Sequence, residues 1–159
     1  MNRFIALVWS YHSEAASKDA ADVIAAIATT HPAWVHRVDA PGLSVLEAPH
    51  RSSALEGLHV GAHVSFVGTV FAGRSRAQSA QLRDSEFIES RGTVAFTRVW
   101  GRYVCFIRDV PNACVFIVRD PSGALPCFVA RRGNAFIFLS HGEDIDALGL
   151  GPTAVDWGY

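Results

Sequence analysis

The first clear hydrophobic pattern lies close to the N-terminus. Residues 4–9 form an unbroken apolar run, which is typical of a strand that is buried on both faces. Residues 19–29 then place apolar side chains at the spacing of one helical face. Ser17 can cap this helix, and Pro32 ends it. The pattern therefore predicts a buried strand followed by an amphipathic helix.

The middle of the chain alternates less regularly. In order, we predict extended segments at residues 34–38 and 43–48, a strand at 60–71, a polar loop with a helical turn or two at 73–91, and a short helix at 93–100. Pro41-Gly42 marks a turn between the two extended segments, and Gly61 and Gly68 interrupt the longer strand.

The β signal is strongest after residue 100. Four β-rich runs, at residues 103–108, 114–119, 126–130 and 135–139, are separated by turns rich in Asp, Pro, Asn and Gly. Because short loops join these runs, we expect an antiparallel meander. An early strand, a helix and two groups of strands together predict an α+β sandwich.

Composition narrows the classes of function. The chain has 159 residues, half of them apolar, which suits a single compact domain. A net charge of -1 offers no electrostatic footprint for nucleic acid or an acidic membrane. We expect no signal peptide, because the apolar run after Arg3 is too short for a signal core, and no apolar run reaches the length of a membrane helix. We therefore predict a soluble cytoplasmic protein without nucleic-acid or membrane partners.

Cysteines and histidines do not form a metal-binding pattern. Cys105, Cys114 and Cys127 are dispersed in apolar runs without a CxxC pair, which favours reduced core thiols over a disulfide, a zinc site or a nucleophile. Seven histidines are scattered along the chain. His59 and His63 are four residues apart, but they lie in a Gly- and β-rich stretch rather than a helix.

A resemblance to a known family enters in the second half of the chain. The segment at residues 118–128 resembles a motif of the class II glutamine amidotransferase domain of asparagine synthetases. It reads Val118-Arg119-Asp120-Pro121-Ser122-Gly123-Ala124-Leu125-Pro126-Cys127-Phe128. Upstream, the segment Trp100-Gly101-Arg102-Tyr103 is similar to the start of a strand in lasso peptide cyclases, which are a branch of these synthetases. The resemblance implies an Ntn-hydrolase-type αββα sandwich, two antiparallel sheets between helical layers, with a short helix at residues 143–148.

The same resemblance implies a domain boundary. Residues 1–148 correspond to the glutaminase-like domain, and residues 149–159 to a linker and the start of a following synthetase domain. The string Val155-Asp156-Trp157 is similar to the family's junction. We expect Trp157 and Tyr159 to be frayed or engaged with another copy rather than packed in this domain's own core.

The family's reaction implies partners and cofactors. In a lasso cyclase the synthetase domain, for which ATP and Mg²⁺ are expected, adenylates a carboxylate of a precursor peptide, and the peptide's own amine closes a macrolactam. The implied partners are that synthetase domain, with a precursor peptide and a leader-processing protease as further candidates. No cofactor is expected in this chain.

The residues that carry glutaminase chemistry in the family are replaced here. Active members expose a Cys as the second residue, and its thiol attacks glutamine while its α-amine acts as base. Asn2 stands at that position, behind a Met1 that we expect to be retained. The oxyanion hole corresponds to Val67 and Gly68, of which only Gly68 keeps a possible backbone donor. Asp84 matches the residue that binds the glutamine amine.

The glutamine carboxylate also lacks its expected ligand. The family places an Arg before a Leu-Ser-hydrophobic run, which Leu43-Ser44-Val45 matches. Gly42 occupies the Arg position, and Arg37 is an alternative.

These replacements predict a relic pocket of Asn2, Val67, Gly68 and Asp84, with no catalytic residue and no metal. The chain is then a catalytically inactive domain that packs against a synthetase domain. The alternative is a stand-alone regulatory module that binds a small amino acid or a peptide end in the relic pocket. An active hydrolase with an unrecognised nucleophile is the third possibility.

Overall fold

The computed structural model describes residues 3–49, 59–72 and 82–150. The strands of this part are β1 (Phe4–Trp9), β2 (Val35–Ala40), β3 (Leu43–Glu47), β4 (His59–Val60), β5 (Val64–Ala72), β6 (Val99–Asp109), β7 (Cys114–Arg119), β8 (Phe128–Arg132) and β9 (Ala135–Leu139). The helices are α1 (Glu14–Thr30), α2 (Asp84–Glu89), α3 (Ala95–Arg98) and α4 (Glu143–Ala147). Asn2, Trp157 and Tyr159 lie outside the described residues.

The strands form two antiparallel sheets. The five-stranded sheet has the order β2-β3-β1-β9-β8, and the four-stranded sheet has the order β4-β5-β6-β7. The sheets stack face to face, because Phe4 of β1 and Val104 and Phe106 of β6 share one buried cluster. The predicted α+β class and the two antiparallel sheets are confirmed.

Helices cover the outer face of each sheet. Val23 and Ile27 of α1 and Ile145 of α4 pack on the five-stranded sheet. Phe87 of α2 and Ala95 of α3 pack on the four-stranded sheet. The order of layers is therefore helix, sheet, sheet, helix. No helix in the described ranges is long and apolar enough to cross a membrane.

The predicted first strand is confirmed with its bounds. Phe4 and Ala6 face the space between the sheets, whereas Ile5 and Leu7 face α1. All four side chains are buried, and full burial of a large apolar side chain contributes about 1.5–3 kcal/mol. The unbroken apolar run is thus explained by a central strand that is covered on both faces.

The start of α1 differs from the prediction. The helix begins at Glu14, and the Oγ of Ser13 accepts a hydrogen bond from the N–H of Ala16 at 3.2 Å. Ser17 lies inside the helix and is not its cap. The weakly amphipathic first turn concealed this earlier start, since only Ala16 in it is buried.

The expected meander of the last four strands is wrong. β7 pairs with β6, whereas β8 pairs with β9 in the other sheet. The connection from β7 to β8 is long enough to change sheets, and its turn is fixed at Asp120, which is buried and accepts hydrogen bonds from the N–H groups of Tyr103 and Ser122.

Further element bounds shift, among them the predicted strand at residues 126–130, which is β8 at Phe128–Arg132. The predicted strand at residues 60–71 is a hairpin, because Gly61, with φ +59°, begins the turn between β4 and β5. The predicted helix at residues 93–100 is only α3, and Trp100 belongs to β6.

Candidate functional site

Val67 lies on β5 with its side chain between the two sheets. The side chain is fully buried and packs in the same cluster as Phe4 and Val104. An isopropyl group has no hydrogen-bond donor, so this position contributes only packing. The resembled family has an Asn with a side-chain amide at this position. In this chain the position is part of the apolar core.

Gly68 follows on the same strand, where its surroundings are filled. Its φ is +105°, and an added Cβ would lie 2.2 Å from the carbonyl oxygen of Arg102 and 2.9 Å from Cδ2 of Leu125. Leu125 is itself buried. A side chain at position 68 is thus excluded by both backbone conformation and space.

Asp84 lies elsewhere, at the start of α2. Its Oδ1 accepts a hydrogen bond from the N–H of Ser85 at 3.0 Å, and its Oδ2 would lie 2.4 Å from a Cβ added to Gly61. The carboxylate therefore rests against the β4–β5 turn, in the outer layer that α2 forms. The structure brings Val67 and Gly68 together but places Asp84 on the other side of the sheet from the Val67 side chain, and Asn2 lies outside the described residues.

The residues that were candidates for binding a glutamine carboxylate make other contacts in the structure. The Nε of Arg37 donates to Oε2 of Glu47 at 2.6 Å. Gly42, with φ +83°, forms the β2–β3 turn, and a Cβ there would lie 3.0 Å from Cδ1 of Tyr11. Ser44 is fully buried. These residues serve the five-stranded sheet.

The most extensive polar cluster lies at the start of β1. Arg3 donates through Nε to Oδ2 of Asp144 at 3.1 Å and through Nη2 to Oδ1. Nε2 of His31 lies 3.3 Å from Oδ1 of Asp144. The hydrogen bond to Asp144 is the main cause that raises the pKa of Arg3 above its ordinary value. Trp34 stacks on His31 with ring centroids 4.7 Å apart.

This cluster was not predicted from the sequence. The only signal was a single charged residue, Arg3, directly before a fully apolar strand. Asp144 is fully buried, and a buried carboxylate persists only with strong partners. The cluster fixes the entry into β1 next to position 2.

Ser140 and His141 raise the question of a hydrolytic nucleophile. The Oγ of Ser140 lies 2.9 Å from Nδ1 of His141. The same Oγ accepts a hydrogen bond from the N–H of Phe4 at 2.9 Å and is buried. Ser140 therefore joins β9 to the start of β1, and its hydroxyl is not presented to a substrate.

The three thiols differ in exposure. Cys105 is fully buried, and burial raises its pKa well above the ordinary value. Cys114 and Cys127 are half-buried free thiols, and desolvation raises the pKa of each. Cys127 precedes β8 instead of lying within a strand. Within residues 3–49, 59–72 and 82–150, no three His, Cys, Asp or Glu side chains converge to hold a metal ion.

The positions matched to the amidotransferase motif therefore form packing contacts instead of a catalytic unit. Val67 and Gly68 are embedded between strands, and Asp84 is separated from them. No protein-family model matches this chain, and no curated protein matches it either.

Proposed function

We propose that this chain is a catalytically silent, Ntn-type glutaminase-like domain of an asparagine-synthetase-type protein, closest to lasso peptide cyclases. It acts in the cytoplasm by packing against the ATP-dependent synthetase domain of the same polypeptide. The observation that carries the proposal is the packing of Leu125 against Gly68, beside the buried Val67.

This packing opposes glutamine hydrolysis for a chemical reason. A tetrahedral intermediate needs donors about 2.7–3.1 Å from the position of its oxyanion. Val67 provides no side-chain donor, and Leu125 packs against Gly68 on the side where a Cβ would lie. With Asn2 at the nucleophile position, the attacking thiol and the side-chain donor of the oxyanion hole are both absent.

The partner role is supported by exposed aromatic side chains at one end of the four-stranded sheet. Trp100 is 63% exposed and Phe71 is 41% exposed, yet their rings stack with centroids 4.3 Å apart. Phe96, on α3, is 50% exposed. Exposed aromatic groups of this size are characteristic of protein interfaces, where Trp often contributes most of the binding energy.

Loss of the glutaminase is consistent with the proposed reaction of the parent protein. In macrolactam formation the nucleophile is the amine of the precursor peptide, so ammonia is not consumed. ATP and Mg²⁺ belong to the synthetase domain, and a precursor peptide and a leader-processing protease are the further partners of the assembly.

The alternative, a stand-alone module that binds a small amino acid, is less well supported. It needs Asp84 beside Gly68, whereas the Asp84 carboxylate rests against Gly61. Saturable binding of glutamine by the isolated chain in calorimetry would favour the alternative.

The deciding experiment begins with the coding sequence. We expect an in-frame continuation that encodes a Ser-Gly-Gly-x-Asp ATP loop, and a stop codon directly after Tyr159 would contradict the proposal. The encoded synthetase domain is then produced separately, and its complex with this chain is measured by calorimetry. Trp100→Ala should weaken the complex about tenfold or more, whereas Val110→Ala, at a 42% exposed position in the β6–β7 turn, should not.

A further inference from the structure

β8 is an unusually accessible sheet edge. Among the four edge strands of the described residues, β2 is interrupted by a register shift between His36 and Val38, and β4 has two residues. β7 is half-buried over most of its length. β8 instead pairs with β9 in continuous register, and only Ala130 in it is not exposed. Natural sheets usually protect such an edge by a bulge, by shortness, by charged side chains or by a cover, and of these β8 has the charged side chains of Arg131 and Arg132.

The pairing pattern defines which backbone groups β8 leaves open. A two-residue turn led by Gly133, with φ +55°, joins β8 to β9, so Arg132 and Ala135 form the hydrogen-bonded pair that closes the hairpin. Hydrogen-bonded and non-hydrogen-bonded pairs alternate along antiparallel strands. The N–H and C=O groups of Val129 and Arg131 therefore point away from β9, and no strand in the described ranges pairs with them.

Apolar side chains accompany these open backbone groups. Phe128, Val129 and Phe136 are 46%, 59% and 46% exposed. Val129 lies opposite Phe138, which contacts Phe106 of the other sheet at a centroid distance of 6.3 Å. The four-stranded sheet thus covers Phe138 but leaves Val129 and Phe136 accessible.

Two arginines lie on β8, and Asp19 of α1 reaches the β8–β9 turn, where its Oδ2 accepts a hydrogen bond from the N–H of Asn134 at 2.9 Å. The guanidinium of Arg131 lies 5.5 Å from the ring centroid of Phe136, and its Nε donates to the carbonyl of Gly133 at 2.8 Å. Arg132 donates to the carbonyl of Leu148 at 3.4 Å. Neither arginine meets an acidic side chain in the part of the chain that the structure describes. Because neighbouring residues of a strand point to opposite faces of the sheet, acidic side chains on one face of an added strand would complement the guanidinium of Arg131.

We propose that β8 is the docking edge for an extended segment of a partner protein in which apolar and acidic residues alternate, added as a sixth strand of the sheet. The open groups of Val129 and Arg131 provide main-chain hydrogen bonds, and Arg131 selects acidic side chains on its own face of the sheet. The exposed Phe128 on the opposite face packs against the apolar side chains of the segment. This inference goes beyond the proposed function, because it does not depend on the Trp100 surface or on the resembled family.

A synthetic peptide of alternating valine and glutamate, labelled with a fluorophore, is the probe. We expect saturable binding in fluorescence anisotropy, at least about tenfold tighter than for the same peptide with lysine in place of glutamate. Hydrogen exchange followed by NMR should show new protection at the amides of Val129 and Arg131. The amides of Phe128 and Ala130, which already bond to β9, should change little.

Three variants separate strand addition from general electrostatic attraction. Val129→Pro removes an outward N–H without removing a bond to β9, and it should weaken binding about tenfold, whereas Val129→Thr keeps that N–H and should weaken it less. Arg131→Glu should reverse the preference between the two peptides. A folded Val129→Pro protein that binds like the wild type would overturn the inference. So would absence of saturable binding at about 1 mM peptide, unchanged exchange at both amides, or dimerisation of the chain through β8.

Discussion

The guanidinium of Arg3 donates hydrogen bonds from two nitrogens to the fully buried carboxylate of Asp144, although the residues are 141 positions apart in the chain. The contact ties the start of β1 to α4. It is asymmetric, because the Arg3 side chain is 31% exposed and the Asp144 side chain is 0% exposed. The two partners should therefore respond differently to substitution.

We expect Arg3→Met to lower the free energy of unfolding by about 3 kcal/mol, because it leaves a buried carboxylate without its main partner. Asp144→Asn should cost only about 1–2 kcal/mol, since the partly exposed guanidinium can turn towards water. Urea unfolding measures both values. The reverse order would mean that Asp144 does not depend on Arg3 for its charge compensation.

Gly68→Ala should destabilise the fold by at least about 2 kcal/mol, because the new methyl group meets the carbonyl of Arg102 and the backbone keeps a left-handed φ. Gly142→Ala is the matched control. Nothing lies within 4 Å of a Cβ at that position, and its φ is -62°, so its effect should stay within about 0.5 kcal/mol. Thermal unfolding compares the two, and equal stability would refute the close packing at Gly68.

Asn2→Cys alone should not create a glutaminase, even if the thiol is exposed by removal of Met1. At the positions that the resemblance matches to the oxyanion hole, Val67 has no side-chain donor, and Leu125 packs against Gly68 on the side where a Cβ would lie. Ammonia release from glutamine is the measurement, with boiled protein as the blank. Activity of the single variant above that blank would contradict the proposed loss of function.

The spacing of apolar residues could predict the helices and strands that are buried on one face or on both faces. β1 was predicted with its bounds because Phe4–Trp9 is apolar without interruption. The pairing of β8 could not be predicted, because a connection that begins at the buried Asp120 can lead to either sheet. Two contacts of the candidate site could not be predicted either: that of Leu125 with Gly68 and that of Asp84 with Gly61. Both join segments that are distant in the sequence, and the local pattern of apolar and polar residues carries no information on such contacts.

The ionisation of Tyr103 should lower the stability of the protein as the pH rises from about 10 to about 12. Burial, followed by the charges of Cys105 and Asp120, raises the pKa of Tyr103 to about 12. The unfolded chain releases the same proton near pH 10. Between these values the folded state binds more protons than the unfolded state, so stability decreases with pH, by about 2–3 kcal/mol at the upper end.

Tyr103→Phe tests this assignment. The Tyr103 hydroxyl has no hydrogen-bond partner among the described residues, so the variant should be at least as stable as the wild type at pH 7. Its alkaline loss of stability should be smaller than that of the wild type. Identical alkaline unfolding curves for wild type and Tyr103→Phe would exclude Tyr103 as the cause.

The thiols should react slowly in the folded protein. Thiol reagents attack the thiolate, and the pKa of each cysteine is raised. Cys105 should react only after unfolding, while the half-buried Cys114 and Cys127 should react slowly at pH 7. Labelling with and without guanidinium, assigned by single Cys→Ser variants, measures this order. Rapid labelling of all three thiols in the native protein would contradict it.

The position of β1 between β3 and β9 has a consequence for biosynthesis. The ribosome makes β1 well before β9, yet β9, the last strand of the described residues, is one of the two neighbours of β1 in the sheet. Until Ala135–Leu139 has left the exit tunnel, one side of β1 has no partner, and its apolar side chains depend on temporary protection. A nascent chain that stalls before β9 is therefore the form most prone to aggregation, and the domain completes its folding only when nearly all of it has been synthesised.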